Sequence, residues 1–348
     1  MRAANYIGLV ALMAMTLPGC GDSQPAANTA NRTSAGPGGN ANSPSADGKP
    51  TVAFVSNNAF EFWTIARRGT EKAAAEFNVD VNFQMPAPGT AAKQREIIED
   101  LMTKGVKGIA ISPNDAANQG EFLDGIAEQV PIITQDSDLP AGSKRLCYIG
   151  TNNYEAGKAA GELVQEALPE GGKIVIFVGR LDAQNAVDRR QGLMDQLVGE
   201  KDATGPKLGK YELLDTMTDN GKQEVCKANV EDTLTKYPDV GCLIGLWAYN
   251  PPAMLAAVKE AGQQGKVALV GFDENDETLQ GVKDGHIHGT IVQQPFLFGY
   301  ESVRLLASLA RGDRSVLPEG GVLYVPHRVI KKDNVAAFHA ELNKLKGG

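Results

Sequence analysis

Polar residues stand where apolar runs end. Asp273 closes the run Val267–Phe272, and Gln293 closes the shorter run Thr290–Val292. Between them, 277–284 reads as a short helix stopped by Gly285 or Gly289, so 267–294 forms one βαβ unit. Parallel sheets hold ligands outside the carboxyl ends of their strands, which places Asp273 and Gln293 where a small molecule could be held. The habit recurs along the chain. Asn57, Asn58, Phe60, Phe62 and Trp63 follow the first apolar run, Ser112 and Asn114 the third, and Asp136 follows Ile132-Ile133-Thr134. Further on, Arg189 and Arg190 follow Asn185 at a helix start, Asp219 and Asn220 follow a strand, and Trp247, Tyr249 and Asn250 follow another. Carboxylates, amides and a guanidinium make directional hydrogen bonds, and aromatic faces cover the apolar side of a ring. The mix suits an uncharged, hydroxyl-rich ligand. Taken singly, each residue has a plainer reading as a helix cap, a solvated arginine or a core tryptophan. Their shared location at strand ends carries the weight.

Catalytic patterns are missing. There is no GxSxG elbow, Walker loop, HExxH or GxGxxG, and the His286-x-His288 pair has no third ligand at short range and reads as a solvated turn. The expectation is a binding protein that needs no catalyst, cofactor or metal. At 348 residues, 42% of them hydrophobic, the chain is long enough for two domains with ordinary cores. Its net charge of -8 is spread out, with no Lys/Arg block to track a phosphate backbone, so nucleic acid is not an expected partner.

The N-terminus addresses the chain to the outside of the cell. Met1 and Arg2 precede an apolar stretch, Tyr6 to Leu17, too short to span a bilayer and closed by Leu17-Pro18-Gly19-Cys20. This reads as a signal peptide, and its ending resembles the bacterial lipobox, which implies that Cys20 becomes the lipidated first residue of the mature protein. Residues 21–50 are built almost wholly of Ala, Asn, Ser, Gly, Pro and Asp. Such a segment cannot form a core and serves as a flexible tether reaching on the order of 30 Å from a membrane. Cys147, Cys226 and Cys242 lie in or beside apolar patterns without a CxxC spacing and read as buried free thiols.

From Thr51 strand and helix alternate with little interruption, first to Ile149 and then, after Thr151-Asn152-Asn153, through a second round to Phe272 and beyond. Alternation of this kind predicts parallel sheets covered by helices on both faces. About six strands in each half are too many for one open sheet and natural for two, giving two doubly wound α/β lobes. A closed eightfold barrel is the rival, but it would scatter its polar residues over one round of loops, whereas here they recur in both halves.

From Thr51 to about Lys331 the chain resembles the ribose-binding type of bacterial periplasmic sugar-binding proteins, relatives of the ligand domain of lac-type repressors. The resemblance is carried by Val55-Ser56 with Phe62-Trp63, Gly108-Ile-Ala-Ile-Ser112-Pro113, Pro131-Ile-Ile-Thr-Gln-Asp136, Arg189-Arg-Gln-Gly192, Val270-Gly-Phe-Asp273 and Gly289-Thr-Ile-Val-Gln293. It implies a periplasmic binding protein type I fold: two lobes joined by a three-crossing hinge near Gly150, Gln293 and Pro326, closing on a sugar and presenting it to an ABC permease. The first lobe would hold 51–150 and 294–325, the second 151–293 and 326–348. Phe62 and Trp63 would sandwich the sugar with an aromatic of the other lobe, while Asp136, Arg189, Asp273 and Gln293 would bind its hydroxyls. Asn58, Ser112, Asn220, Trp247 and Asn250 complete the expected contacts. Ser112 stands where the family often has Asn, and Ser137 where ribose binders carry Arg, which weighs against ribose itself. The tether replaces a DNA-binding headpiece, so the expectation is a monomeric, lipid-anchored receptor of the periplasm or cell envelope that feeds an importer. The alternative is a sensor that hands its closed form to a chemotaxis or kinase receptor, or takes up an autoinducer. An extracytoplasmic enzyme is the reading from a different class, disfavoured by the lack of a nucleophile and base.

Overall fold

The computed structural model describes residues 48–346, so the expected signal peptide, Cys20 and nearly all of the tether lie outside the described residues. The first run of elements is β1 (Thr51–Val55), α1 (Glu61–Phe77), β2 (Asp80–Gln84), α2 (Ala91–Thr103), β3 (Ile109–Ile111), α3 (Ala116–Ala127), β4 (Ile132–Gln135) and β5 (Cys147–Gly150). The second run is α4 (Asn153–Ala167), β6 (Gly172–Val178), α5 (Gln184–Val198), β7 (Lys207–Leu208), β8 (Tyr211–Thr218), α6 (Gln223–Lys236), β9 (Val240–Gly245), α7 (Asn250–Glu260), β10 (Ala268–Phe272), α8 (Asp276–Asp284) and β11 (Gly289–Val292). The chain ends with α9 (Pro295–Leu309), β12 (Val322–Tyr324), β13 (Arg328–Ile330) and α10 (Val335–Lys346).

These strands form two open sheets, ordered β12-β5-β4-β3-β1-β2 and β13-β11-β10-β9-β6-β8-β7. Two doubly wound α/β sheets are what the alternation predicts, and the barrel rival falls. All pairings in the first sheet are parallel. The second adds an antiparallel strand at each edge, β7 on β8 and β13 on β11. These two edge strands escape the sequence pattern because pieces of two and three residues show no period. Helix α5 begins at Gln184, after Ala183, which supplies no side-chain cap. Arg189 therefore sits in the second turn of the helix.

Both faces of each sheet are covered. Apolar residues of α1 and α9 pack with Val52, Phe54 and Ile133, while α2 and α3 pack with Val55 and Ile109 on the other face. In the second sheet α4 and α5 cover one face, and α6, α7, α8 and α10 the other. Side-chain caps start several helices: Thr90, Asp115, Asn152 and Asn275 accept from backbone N–H groups of the first turn. The chain passes between the sheets three times, from β5 to α4, from β11 to α9, which packs on α1 and the first sheet, and from β12 to β13. Ile65 of α1 joins the core of the second sheet, so the two halves share apolar packing as well as chain crossings. Cys147, Cys226 and Cys242 are free and buried.

Candidate binding site

Two aspartates stand at equivalent places in the two sheets. Asp136 follows β4 with φ 62°, and Asp273 follows β10 with φ 67°. Left-handed backbone is uncommon outside glycine, but a short polar side chain that hydrogen-bonds locally tolerates it. Each turn throws a carboxylate off the end of its strand. Asp136 Oδ2 accepts from Ser112 Oγ at 3.1 Å and from Asn57 Nδ2 at 3.4 Å. Asp273 Oδ1 accepts from Gln293 Nε2 at 2.9 Å, tying the end of β10 to the second chain crossing.

Arg189 supplies the positive charge. Its side chain is 1% exposed, with Nε donating to Asn153 Oδ1 at 2.9 Å and Nη1 to the Leu246 carbonyl at 2.8 Å. The guanidinium lies 4.5 Å from the Phe272 ring centre, and Nη2 is buried without a partner. The backbone that carries Arg189 is set by close helix approach: a Cβ at Gly157 of α4 would lie 2.1 Å from the Arg189 carbonyl oxygen, so only glycine fits. Burial pushes the Asp136 carboxyl up to about 6, with Arg189 pulling it down and Asp273 adding to the rise. Burial also raises Asp273, against the pull of Arg189 and the Gln293 hydrogen bond. The adjoining Glu274 is buried, both its oxygens lack partners, and burial lifts its carboxyl well above the usual range.

The aromatic residues divide. Trp63 is 1% exposed, packs on Phe54 and Phe62, and donates from Nε1 to Asn57 Oδ1 at 2.9 Å. Phe62 is half-buried against Phe298. Trp247 is half-buried beside Gly179, where a Cβ would lie 1.9 Å from its ring, and its Nε1 is buried without a partner. Asn58 is occupied by its own loop, donating to Asn57 Oδ1 and accepting from the Phe60 N–H. Asn250 is likewise committed, accepting from the Trp247 N–H and donating to Asp219 Oδ2 and Cys226 Sγ. Asn220 is exposed in a left-handed turn. Of the residues singled out in the sequence, Ser112, Asp136, Arg189, Asp273 and Gln293 come together as one electrostatic cluster. Trp63 and Asn58 reach it through Asn57. Asn220 and the Asn250 amide do not join it.

Residues 52–314 match the sequence profile described as "Periplasmic binding protein domain". The chain belongs to this family. The ribose import binding protein of Haemophilus influenzae is 27% identical to this periplasmic binding protein over 275 residues, covering 78% of this chain and 89% of its own. The D-allose-binding periplasmic protein of Escherichia coli is 26% identical over 267 residues, covering 73% and 82%. Among solved structures, an ABC transporter solute-binding protein of Burkholderia graminis in complex with D-arabinose is 30% identical, with a TM-score of 0.75 over 84% of this chain and 98% of its own.

Several residues that build the candidate site are silent in sequence. Gln94, fully buried, donates to the carbonyls of Ser56 and Ser112 and accepts from the Asn114 N–H and Gln119 Nε2, clamping the ends of β1 and β3 together. Asn57 joins Trp63 to Asp136, and Asn153 orients Arg189. The Tyr148 hydroxyl donates to the Asp136 carbonyl and that of Thr290 to the Asp273 carbonyl. Each pairs groups far apart in the chain, a relation that no local period encodes.

Proposed function

We propose that this periplasmic binding protein captures a sugar or related polyol between two hinged lobes and delivers it to an ABC importer, working outside the cytoplasm on a lipid anchor at Cys20. The observation that carries the reading is the set of buried, unpaired polar atoms at the ends of both sheets. Arg189 Nη2, Trp247 Nε1 and Asn114 Nδ2 are donors without acceptors, and Gln293 Oε1 is an acceptor without a donor. Unmade hydrogen bonds at buried groups cost free energy, about 1–3 kcal/mol each, which a ligand with several hydroxyls would recover. The carboxylates of Asp136 and Asp273 accept from hydroxyls on opposite walls, while Arg189 donates between them. Ring-covering faces come from Trp247 on one side and from Phe62 on the other, with the buried Trp63 meeting Phe62 edge-on. Sugar ligands in the names of the relatives support the same class.

Closure is supported by pairs that bridge the lobes. Arg180 Nη2 donates to the Asn114 carbonyl at 3.1 Å, and Lys346 Nζ lies 2.8 Å from Glu61 Oε1. The proposed lobes, 51–150 with 294–325 and 151–293 with 326–348, meet at the three chain crossings, which act as the hinge. The protein works as a monomer.

A fluorescence screen with D-ribose, D-allose, D-arabinose and a wider panel of pentoses, hexoses and polyols tests the reading. The chain has two tryptophans, and Trp247, half-buried with its Nε1 unpaired, stands at the proposed cleft, so a cognate sugar shifts the emission. Failure of the whole panel to bind, by fluorescence and by calorimetry, rejects it. Cys20→Ser moves the protein from the membrane fraction to the soluble one; an unchanged membrane fraction removes the lipid anchor.

A further inference from the structure

The two aspartates are held by the same device, built from different side chains. In the first sheet the Asp136 N–H donates to the Ile149 carbonyl at 3.0 Å, and the Asp136 carbonyl accepts from Tyr148 Oη at 2.9 Å. In the second sheet the Asp273 N–H donates to the Ile291 carbonyl at 2.8 Å, and the Asp273 carbonyl accepts from Thr290 Oγ1 at 2.9 Å. Ile149 and Ile291 lie on the strands that pair in parallel with the ones ending at the aspartates, and Tyr148 and Thr290 immediately precede them. The two pins therefore occupy the same register position in the two sheets. A left-handed aspartate is a conformation that the chain would leave if its peptide groups were free to turn. Pinning both the N–H and the carbonyl removes that freedom and fixes the direction of the carboxylate.

The two pins solve one steric problem with different reach. Tyr148 folds its ring back over Gly150, where a Cβ would lie 2.2 Å from Oη, and Tyr324 meets that ring edge-on. The Tyr148 hydroxyl also lies 3.4 Å from the Thr151 carbonyl, at the first crossing between the sheets. Thr290 is shorter, fully buried, and reaches the carbonyl directly. Burial holds the Tyr148 phenol well above its ordinary pKa, so it remains a donor at any pH where the protein works.

We infer that Tyr148 and Thr290 are positioning residues for ligand binding, each hydroxyl fixing a left-handed aspartate so that its carboxylate stands ready on one wall of the cleft. The inference rests on the reading above that Asp136 and Asp273 receive ligand hydroxyls. A rigid pair of acceptors set before the ligand arrives avoids the ordering cost that a loose pair would meet on binding.

The test uses the full chain and D-ribose, D-allose and D-arabinose as probes, with affinity measured by calorimetry and amide hydrogen exchange measured without ligand. Thr290→Val and Tyr148→Phe each weaken binding of the probe sugar by roughly tenfold, whereas Thr290→Ser, which keeps the hydroxyl, restores it to within about twofold. In an Asp273→Ala background, Thr290→Val has no further effect on affinity, because the side chain it positions is gone. Without ligand, Thr290→Val speeds exchange at the Asp273 amide by roughly tenfold and Tyr148→Phe does the same at Asp136, with amides of the central strands unchanged. Wild-type affinity in Thr290→Val, equal weakening by Thr290→Val in the Asp273→Ala background, or exchange at Asp273 unmoved by the loss of the hydroxyl would each overturn the inference. If Asp136→Ala and Asp273→Ala both bind the probe normally, the reading of the site fails instead, and the exchange arm still decides whether the hydroxyls hold the turns.

Discussion

Replacing Arg189 by methionine removes the one guanidinium of the cluster while keeping an apolar side chain of similar length over Phe272. The loss has two parts that separate by pH. The first is the pair of hydrogen bonds to Asn153 and the Leu246 carbonyl, both buried, whose removal leaves acceptors unpaired at a cost of about 1–3 kcal/mol each, less whatever the Asn153 amide recovers by turning. The second is electrostatic. Arg189 is the largest influence opposing burial at both Asp136 and Asp273, so without it both folded-state carboxyls rise further. An aspartate raised in the folded state contributes stability that is present below its unfolded value near 3.8 and lost as pH climbs through the folded value, about 6 for Asp136 in the intact protein. Each further unit of rise in the variant widens the deficit by about 1.4 kcal/mol once both states would be ionised. Ligand-free Arg189→Met is therefore less stable by about 2 kcal/mol near pH 5, from the hydrogen bonds alone, and by roughly 3–5 kcal/mol near pH 8. Urea unfolding of the two proteins at both pH values, followed by tryptophan emission, measures this. A deficit under about 1 kcal/mol, or one that stays constant with pH, refutes the reasoning.

The same ionisation governs affinity. In the proposed site ligand hydroxyls would donate to the ionised Asp136 carboxylate, so binding would lower its pKa and affinity would fall as pH drops through about 6; calorimetry near pH 5 then gives a sugar affinity roughly tenfold weaker than near pH 7. Lys346 bridges Glu61 on α1 and Asp276 on α8, at 2.8 and 3.0 Å, with both carboxylates more than half exposed. Such a pair is worth under about 1 kcal/mol, so Lys346→Ala weakens ligand binding by roughly two- to fivefold at low ionic strength, a difference that disappears in roughly 1 M salt.

Much of the candidate site was legible because strand ends are local. A run such as Val270-Gly-Phe closed by Asp273 announces a strand and the polar residue beyond it, and Pro131 to Asp136 does so again in the other half. The two sheets followed from the same alternation. What stayed hidden depends on contacts across the fold. Arg189 taken alone reads as a solvated helix residue, and only the close approach of Gly157 and the acceptors on Asn153 and Leu246 show why it is buried. Asn250 sits at a strand-to-helix junction, as a ligand residue would, yet its amide is spent on the Trp247 N–H, Asp219 and Cys226. Trp63 follows the first strand as expected, but its indole packs on Phe54 and touches the cluster through Asn57. Strands β7 and β13 join the second sheet at its edges, where two or three residues suffice and no pattern can build.

The central claim is that a sugar is held between carboxylates on the two walls. Calorimetric titration of the pentose and hexose panel into the intact protein and into Asp273→Ala tests it most directly. The account predicts that at least one sugar binds the intact protein and that Asp273→Ala weakens it by roughly 2 kcal/mol, about thirtyfold, because the sugar hydroxyl and the Gln293 amide both lose their acceptor. Equal affinity in the two proteins would contradict it.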